Sequence, residues 1–214
     1  MRLVSAVRPP SAPSGRPPLL VLLHGIGADE LDLLPLADAL DPRFHAVSLR
    51  APHEARPLGY AWYALDWTTS PPTPDLDEAE RSREGLVAVI PELAARAGTD
   101  PRRTFLLGFS QGAIMALSVA LTRPDLVRGL VLHSGRVLPG LERRAAPGEA
   151  LAGLEALVLH GRHDDVIPVE RGREVRDLLA PLLGSQLVYR EHEAGHEVTP
   201  SSLEDAASWL AARI

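Results

Sequence analysis

The sequence predicts an α/β fold, with a central, mostly parallel sheet and helices on both faces. Two observations carry this reading. Short, wholly apolar runs of the kind that suit strands buried on both sides recur along the chain. Between them lie longer segments whose apolar residues are spaced three and four apart, the period of an amphipathic helix. Strands and helices that alternate in this way, with no internal repeat, imply parallel strands joined through helices rather than a series of hairpins. The clearest strand is LLVLL at 19–23, bounded by Pro18 and His24. Further strands are expected at 44–49, 104–107, 129–133, 157–160 and 186–189, each four to six residues long. Helical spacing predicts helices over 31–40, 78–97, 113–121, 169–183 and 203–212. Ser201 and Glu204, just after Pro200, read as a capping box opening the last of these. The proline- and serine-rich stretches at 9–18 and 68–74 read as loops rather than linkers, because an element resumes directly after each.

The chain has 214 residues, and at ~150 residues per domain that length predicts one domain, 1–214. Hydrophobic residues at 45% and charged residues at 23% are ordinary globular values and exclude a disordered or fibrous chain. Lys and Arg total 22 against 28 for Asp and Glu, a net charge of -6 with no basic stripe, so nucleic acid is not an expected partner. There is no Cys, which removes disulfides, thiolate metal sites and a cysteine nucleophile. There is also no Lys, which removes Schiff-base chemistry and a phosphate-loop lysine. The apolar stretch at 3–7 is too short for the core of an export signal and is followed by Pro9, Pro10 and Pro13. No run approaches the ~20 apolar residues of a membrane span. A cytoplasmic protein without stable membrane insertion, monomeric or homodimeric, is the expectation.

Chemistry must then come from Ser, His, Asp, Glu, Arg or Tyr. The strongest motif is GFSQG at 108–112, which follows one expected strand and precedes one expected helix. That context is what a nucleophile elbow requires: a tight, strained turn presents a serine hydroxyl, and small residues on both flanks allow strand and helix to approach. HGIG at 24–27 closes the strand at 19–23. A turn there can aim backbone N–H groups at a developing oxyanion, so Ile26 joins Gln111, the residue after the serine, as a candidate donor. A serine hydroxyl needs a base, and the base needs an orienting acid. HGRHDDVIP at 160–168 ends another strand and offers Asp164 or Asp165 as the acid. His196, in the loop after the last strand, is the candidate base. The loop 52–74 concentrates Leu58, Tyr60, Trp62, Tyr63 and Trp67 in a chain with only 4% aromatic residues, and reads as an acyl-binding wall or as packing over the sheet edge.

A competing motif overlaps the base. HEAGH at 192–196 spells the HExxH of zinc hydrolases, whose two histidines meet one metal only on a helical face. Here the stretch continues a strand-like run, contains Gly195 and stops at Pro200, so a zinc hydrolase is the lesser reading and no metal is expected. His160, His163 and the two aspartates are a local cluster without a second group of ligands, while His45, His53 and His133 read as ordinary loop or strand-end residues. A binding module that reuses a catalytic scaffold is a further alternative, since fold does not prove function.

Taken together, LLHGIGADE, GYAWY, DPRRTFLLGFSQGA, HSG, HGRHDDVIP and GHE span nearly the whole chain, and in them it resembles the phospholipase/carboxylesterase family of α/β-hydrolases, which includes acyl-protein thioesterases and small bacterial carboxylesterases. The resemblance implies an α/β-hydrolase fold without a separate cap domain. It also implies a serine esterase, extending to lysophospholipase or thioesterase activity, that cleaves small to medium acyl esters or thioesters without a cofactor. It assigns Ser110 as nucleophile, Asp164 as acid, His196 as base, and Ile26 and Gln111 as oxyanion donors. Leu58, Trp62, Tyr63, Trp67 and Val166 are the expected substrate contacts. One departure is Asp165, which stands where the family often has Pro directly after the acid.

Overall fold

The computed structural model describes residues 3–12 and 15–214. Pro13, in the first proline-rich loop, lies outside them. Seven strands form one sheet: β1 (Ser5–Arg8), β2 (Leu19–Leu23), β3 (His45–Leu49), β4 (Thr104–Phe109), β5 (Gly129–His133), β6 (Glu155–Gly161) and β7 (Leu187–His192). Their order is β1-β3-β2-β4-β5-β6-β7, and every pairing is parallel except β1 on β3. Four α-helices accompany the sheet: α1 (Leu76–Ala97), α2 (Gln111–Thr122), α3 (Val169–Leu183) and α4 (Pro200–Ala211).

The period of two along each strand decides which face a residue serves. Leu19, Val21, Leu23, Leu106, Leu130 and Val158 point to the face covered by α1, α2 and α3. The alternate residues Leu20, Leu22, Phe105, Leu107, Val131 and Leu157 point to the other face, where Trp209 and Leu210 of α4 close over them with Leu33, Ala37 and Leu40. Because both faces are covered, the central strands carry uninterrupted apolar sequence, which is why they are legible as continuous runs.

Three expectations change in detail. The helix expected at 31–40 is only a 3-10 turn at Leu34–Ala39. Asp29 accepts the Leu31 N–H in a local turn and Pro35 lacks an N–H, so the helical ladder has no room to start. The last helix is capped by Thr199 and Ser202, not by Ser201 and Glu204. Pro200 takes the first helical position, where its missing N–H costs nothing, and this sets the cap two residues earlier. The edge strand β1 was not foreseen; its four residues alternate between exposed and half-buried, as an edge strand's do. Among the described residues no helix is long and apolar enough to cross a membrane.

Candidate active site

Ser110 occupies the step from β4 to α2, in the middle of the sheet and at the carboxyl edge of its parallel strands, the edge at which open α/β sheets bind ligands. Its backbone is strained, with φ 53° and ψ -121°, in a region that non-glycine residues adopt only under constraint. The constraint is visible. A Cβ on Gly108 would overlap the Gly112 backbone, and one on Gly112 would overlap the Leu23 carbonyl and lie 2.7 Å from His24 O. Only glycines let β4, α2 and the end of β2 converge so closely. The Ser110 N–H is tied to His133 O at 2.9 Å, which locks the turn to β5.

His196 Nε2 lies 2.9 Å from Ser110 Oγ, and His196 Nδ1 lies 2.7 Å from Asp164 Oδ2. A carboxylate only accepts, so Nδ1 carries the proton and Nε2 faces the serine as an acceptor. The other carboxylate oxygen, Oδ1, accepts the N–H groups of Val166 at 3.0 Å and Ile167 at 2.7 Å. Asp164 is 5% exposed, whereas Asp165 faces solvent. Backbone bonds hold the two loops together: Arg162 N–H donates to His192 O at 2.8 Å, and His163 N–H to Ala194 O at 2.9 Å. Phe109 supports the imidazole, its ring centroid 4.9 Å from that of His196.

Gly25 of the HGIG turn lies against Phe109 and Ser110. Among the described residues, the N–H groups of Ile26 and Gln111 have no hydrogen-bond partner. For Gln111 this follows from its place as the first residue of α2. The Gln111 side chain has a use that sequence reasoning missed. Its Oε1 accepts the Trp62 N–H at 2.8 Å and its Nε2 donates to Tyr63 O at 2.7 Å, fastening the aromatic loop to the helix. His24 acts structurally: it accepts the Ala51 N–H at Nε2 and donates from Nδ1 to Gly25 O at 2.7 Å. Burial lowers its pKa below the ordinary histidine value.

The cleft beside Ser110 is lined by Ile26, Tyr63, Trp67, Ile114, Val166 and Arg136, among others. Tyr63, Trp67 and Val166 thus stand where a substrate contact was expected, while Leu58 and Trp62 do not. Leu58 is 78% exposed on a turn beside Gly27 and Asp29, in a separate depression. Trp62 is fully buried, and its indole N–H donates to His24 O at 2.9 Å, so it covers the end of β2 instead of facing substrate. Aromatic clustering in sequence could not separate a side chain turned inward from one turned to the cleft. His160, also unforeseen in this role, is buried with Nε2 donating to Ile167 O at 2.7 Å and lying 3.4 Å from Asp164 Oδ2, where it braces the acid loop.

The HEAGH reading loses its requirement. β7 ends at His192, and residues 193–199 are bends and loop, so the two histidines share no helical face. Glu193 pairs instead with Arg162 and His163, and His192 Nε2 lies 3.3 Å from Asp205. Among the described residues no group of three His, Cys, Asp or Glu is placed to hold a metal.

The family model described as phospholipase/carboxylesterase matches residues 5–214. The chain belongs to that family. Phospholipase/carboxylesterase relatives include the esterase YpfH of Escherichia coli, 24% identical over 95% of this chain and 85% of its own. They also include acyl-protein thioesterase 1 of Eremothecium gossypii, 26% identical over 91% of this chain and 87% of its own. Among solved structures, the esterase PE8 superposes with a TM-score of 0.85 at 29% identity, covering 100% of both chains. The fold is that of the α/β-hydrolases, and the family is one of esterases and thioesterases.

Proposed function

We propose that the protein is a serine esterase that hydrolyses carboxylic esters or thioesters of small to medium acyl groups through an acyl-enzyme on Ser110. The observation that carries this reading is the continuous relay from Ser110 Oγ through His196 to the buried Asp164, at 2.9 and 2.7 Å, mounted on a strained turn beside an open cleft. His196 Nε2 takes the hydroxyl proton as Oγ attacks the carbonyl carbon. Asp164 holds the Nδ1–H tautomer and stabilises the imidazolium that forms. The oxyanion is met by the free N–H groups of Ile26 and Gln111, and the N-terminal end of α2 adds its positive dipole. His196 then returns the proton to the departing alcohol or thiol, and water, activated by the same imidazole, attacks the acyl-enzyme to release the acid and restore Ser110.

Two things support an ester or thioester in preference to other acyl compounds: the family to which the chain belongs and the mainly apolar lining of the cleft. Ser110→Ala removes one oxygen and no core volume, so it should abolish hydrolysis of p-nitrophenyl butyrate and leave the melting temperature within about 2 °C, as expected of a change worth less than ~0.5 kcal/mol. Substantial residual turnover by the folded variant would refute the mechanism. Wild-type protein that neither hydrolyses short esters nor reacts with a fluorophosphonate would favour the non-catalytic binding module.

A further inference from the structure

The cleft holds two charges that the hydrolytic steps do not use, Arg136 and Arg171. Arg136 follows His133, Ser134 and Gly135 at the end of β5. Ser134 has the same strained φ of 53° as Ser110, and Gly135 lies against Ala113 of α2, so the chain is turned across the helix and Arg136 enters the cleft wall. The side chain is half-buried, yet among the described residues no carboxylate lies within 4.0 Å of its guanidinium. Arg171, the other arginine of the cleft, is exposed and pairs with Glu174 at 2.7 Å. Among the described residues no Asp or Glu lines the cleft, and its remaining walls are mainly Ile, Leu, Val, Pro and aromatic groups.

A partly desolvated guanidinium without an anionic partner is costly, and arginines in such places are ordinarily paired with one. The Tyr63 hydroxyl stands beside Arg136. Burial raises its pKa well above the ordinary tyrosine value, with Arg136 acting against that rise, so at neutral pH it is a protonated donor. Two donors, one of them cationic, therefore converge on a cleft that also contains Ser110 and offers them no internal anion.

Resting on the esterase reading above, we infer that Arg136 is a specificity-determining residue that selects ester substrates bearing an anionic group, a carboxylate or a phosphate. A planar fork of N–H donors suits either oxyanion. A hydrogen bond to a charged group contributes roughly 1.5–3 kcal/mol, about 10- to 150-fold in kcat/KM.

Two substrate pairs separate the sources of charge. The first compares p-nitrophenyl hydrogen glutarate with p-nitrophenyl pentanoate and places the charge on the acyl group. The second compares monobutyrylglycerol phosphate with monobutyrylglycerol and places it on the alcohol. In at least one pair the wild-type protein should prefer the anionic ester. In that pair the ratio of kcat/KM, anionic over neutral, should fall 10- to 100-fold in Arg136→Gln and recover in part in Arg136→Lys. The ratio is read on folded variants, so a general loss of activity cancels. Preference in the first pair assigns the anion to the acyl side, and preference in the second to the leaving group. No preference in either pair, or a preference that Arg136→Gln leaves intact, would overturn the inference. Failure of wild type to hydrolyse any of the four esters would instead count against the esterase reading itself.

Discussion

Replacing Asp164 by Asn exchanges one oxygen of the relay for nitrogen and leaves its shape intact. Oδ1 of Asp164 accepts two backbone N–H groups, from Val166 and Ile167, while Oδ2 accepts from His196 Nδ1. In the variant the amide oxygen must stay with the two N–H groups, which puts the NH2 against the imidazole. An NH2 donates, so Nδ1 becomes the acceptor and the proton moves to Nε2, where it points at Ser110 Oγ and prevents the ring from taking the hydroxyl proton. The full penalty for the wrong tautomer is ~10⁴ in kcat, about 5.4 kcal/mol. A flipped amide would restore the tautomer but leave two N–H groups unsatisfied at about 1–3 kcal/mol each, so the cheapest escape costs about 2 kcal/mol, or ~30-fold. The loss therefore falls between ~30-fold and ~10⁴-fold. Asp165→Asn changes an exposed side chain and should stay within about 0.5 kcal/mol, roughly twofold. Nitrophenolate release from p-nitrophenyl butyrate, normalised to burst amplitude, measures both. A loss below ~10-fold in Asp164→Asn, or a larger loss in Asp165→Asn, would refute this assignment of the acid.

Gly112→Ala drives a methyl into the Leu23 carbonyl and close to His24 O, both backbone atoms of the sheet. It should cost about 3 kcal/mol and lower the melting temperature by ~6–12 °C, and a fall of less than ~2 °C would contradict the close approach. His133 is 5% exposed, and burial, reinforced by His160, His192 and His196, pushes its pKa down to about 3. Below pH ~6.5 the unfolded chain takes up a proton there that the folded chain refuses, so stability falls with pH by about 1.4 kcal/mol per unit. The wild type should lose about 2 kcal/mol more between pH 7 and 5 than His133→Asn does by urea unfolding, and equal losses would contradict this. Chelator treatment followed by dialysis should leave esterase activity unchanged. Loss of activity that zinc restores would return attention to HEAGH.

Most of the fold was legible because the central strands are covered on both sides and therefore apolar at every position, as LLVLL shows. Edge strands are not so marked: β1 carries Ser5 and Arg8, and β7 runs on through Arg190, Glu191 and His192, past the end at 189 that its apolar residues mark. GFSQG was readable because close packing of backbone demands glycine at 108 and 112. The choice between Asp164 and Asp165 was not open to composition, since adjacent carboxylates differ only in which way the loop turns them. The lining of the cleft was only partly legible. Tyr63, Trp67 and Val166 reach the cleft, whereas Trp62 serves the His24 carbonyl and Leu58 faces solvent. Gln111 acts through Trp62 and Tyr63, far away in sequence, and no local pattern marks it.

The most direct test of the account is covalent. Intact-protein mass spectrometry after brief exposure to a fluorophosphonate should show a single adduct, mapped by proteolysis to Ser110 and absent from Ser110→Ala. His196→Ala should label far more slowly, because the hydroxyl has lost its base. An adduct on another residue, or undiminished labelling of Ser110→Ala, would contradict an acyl-enzyme formed on Ser110.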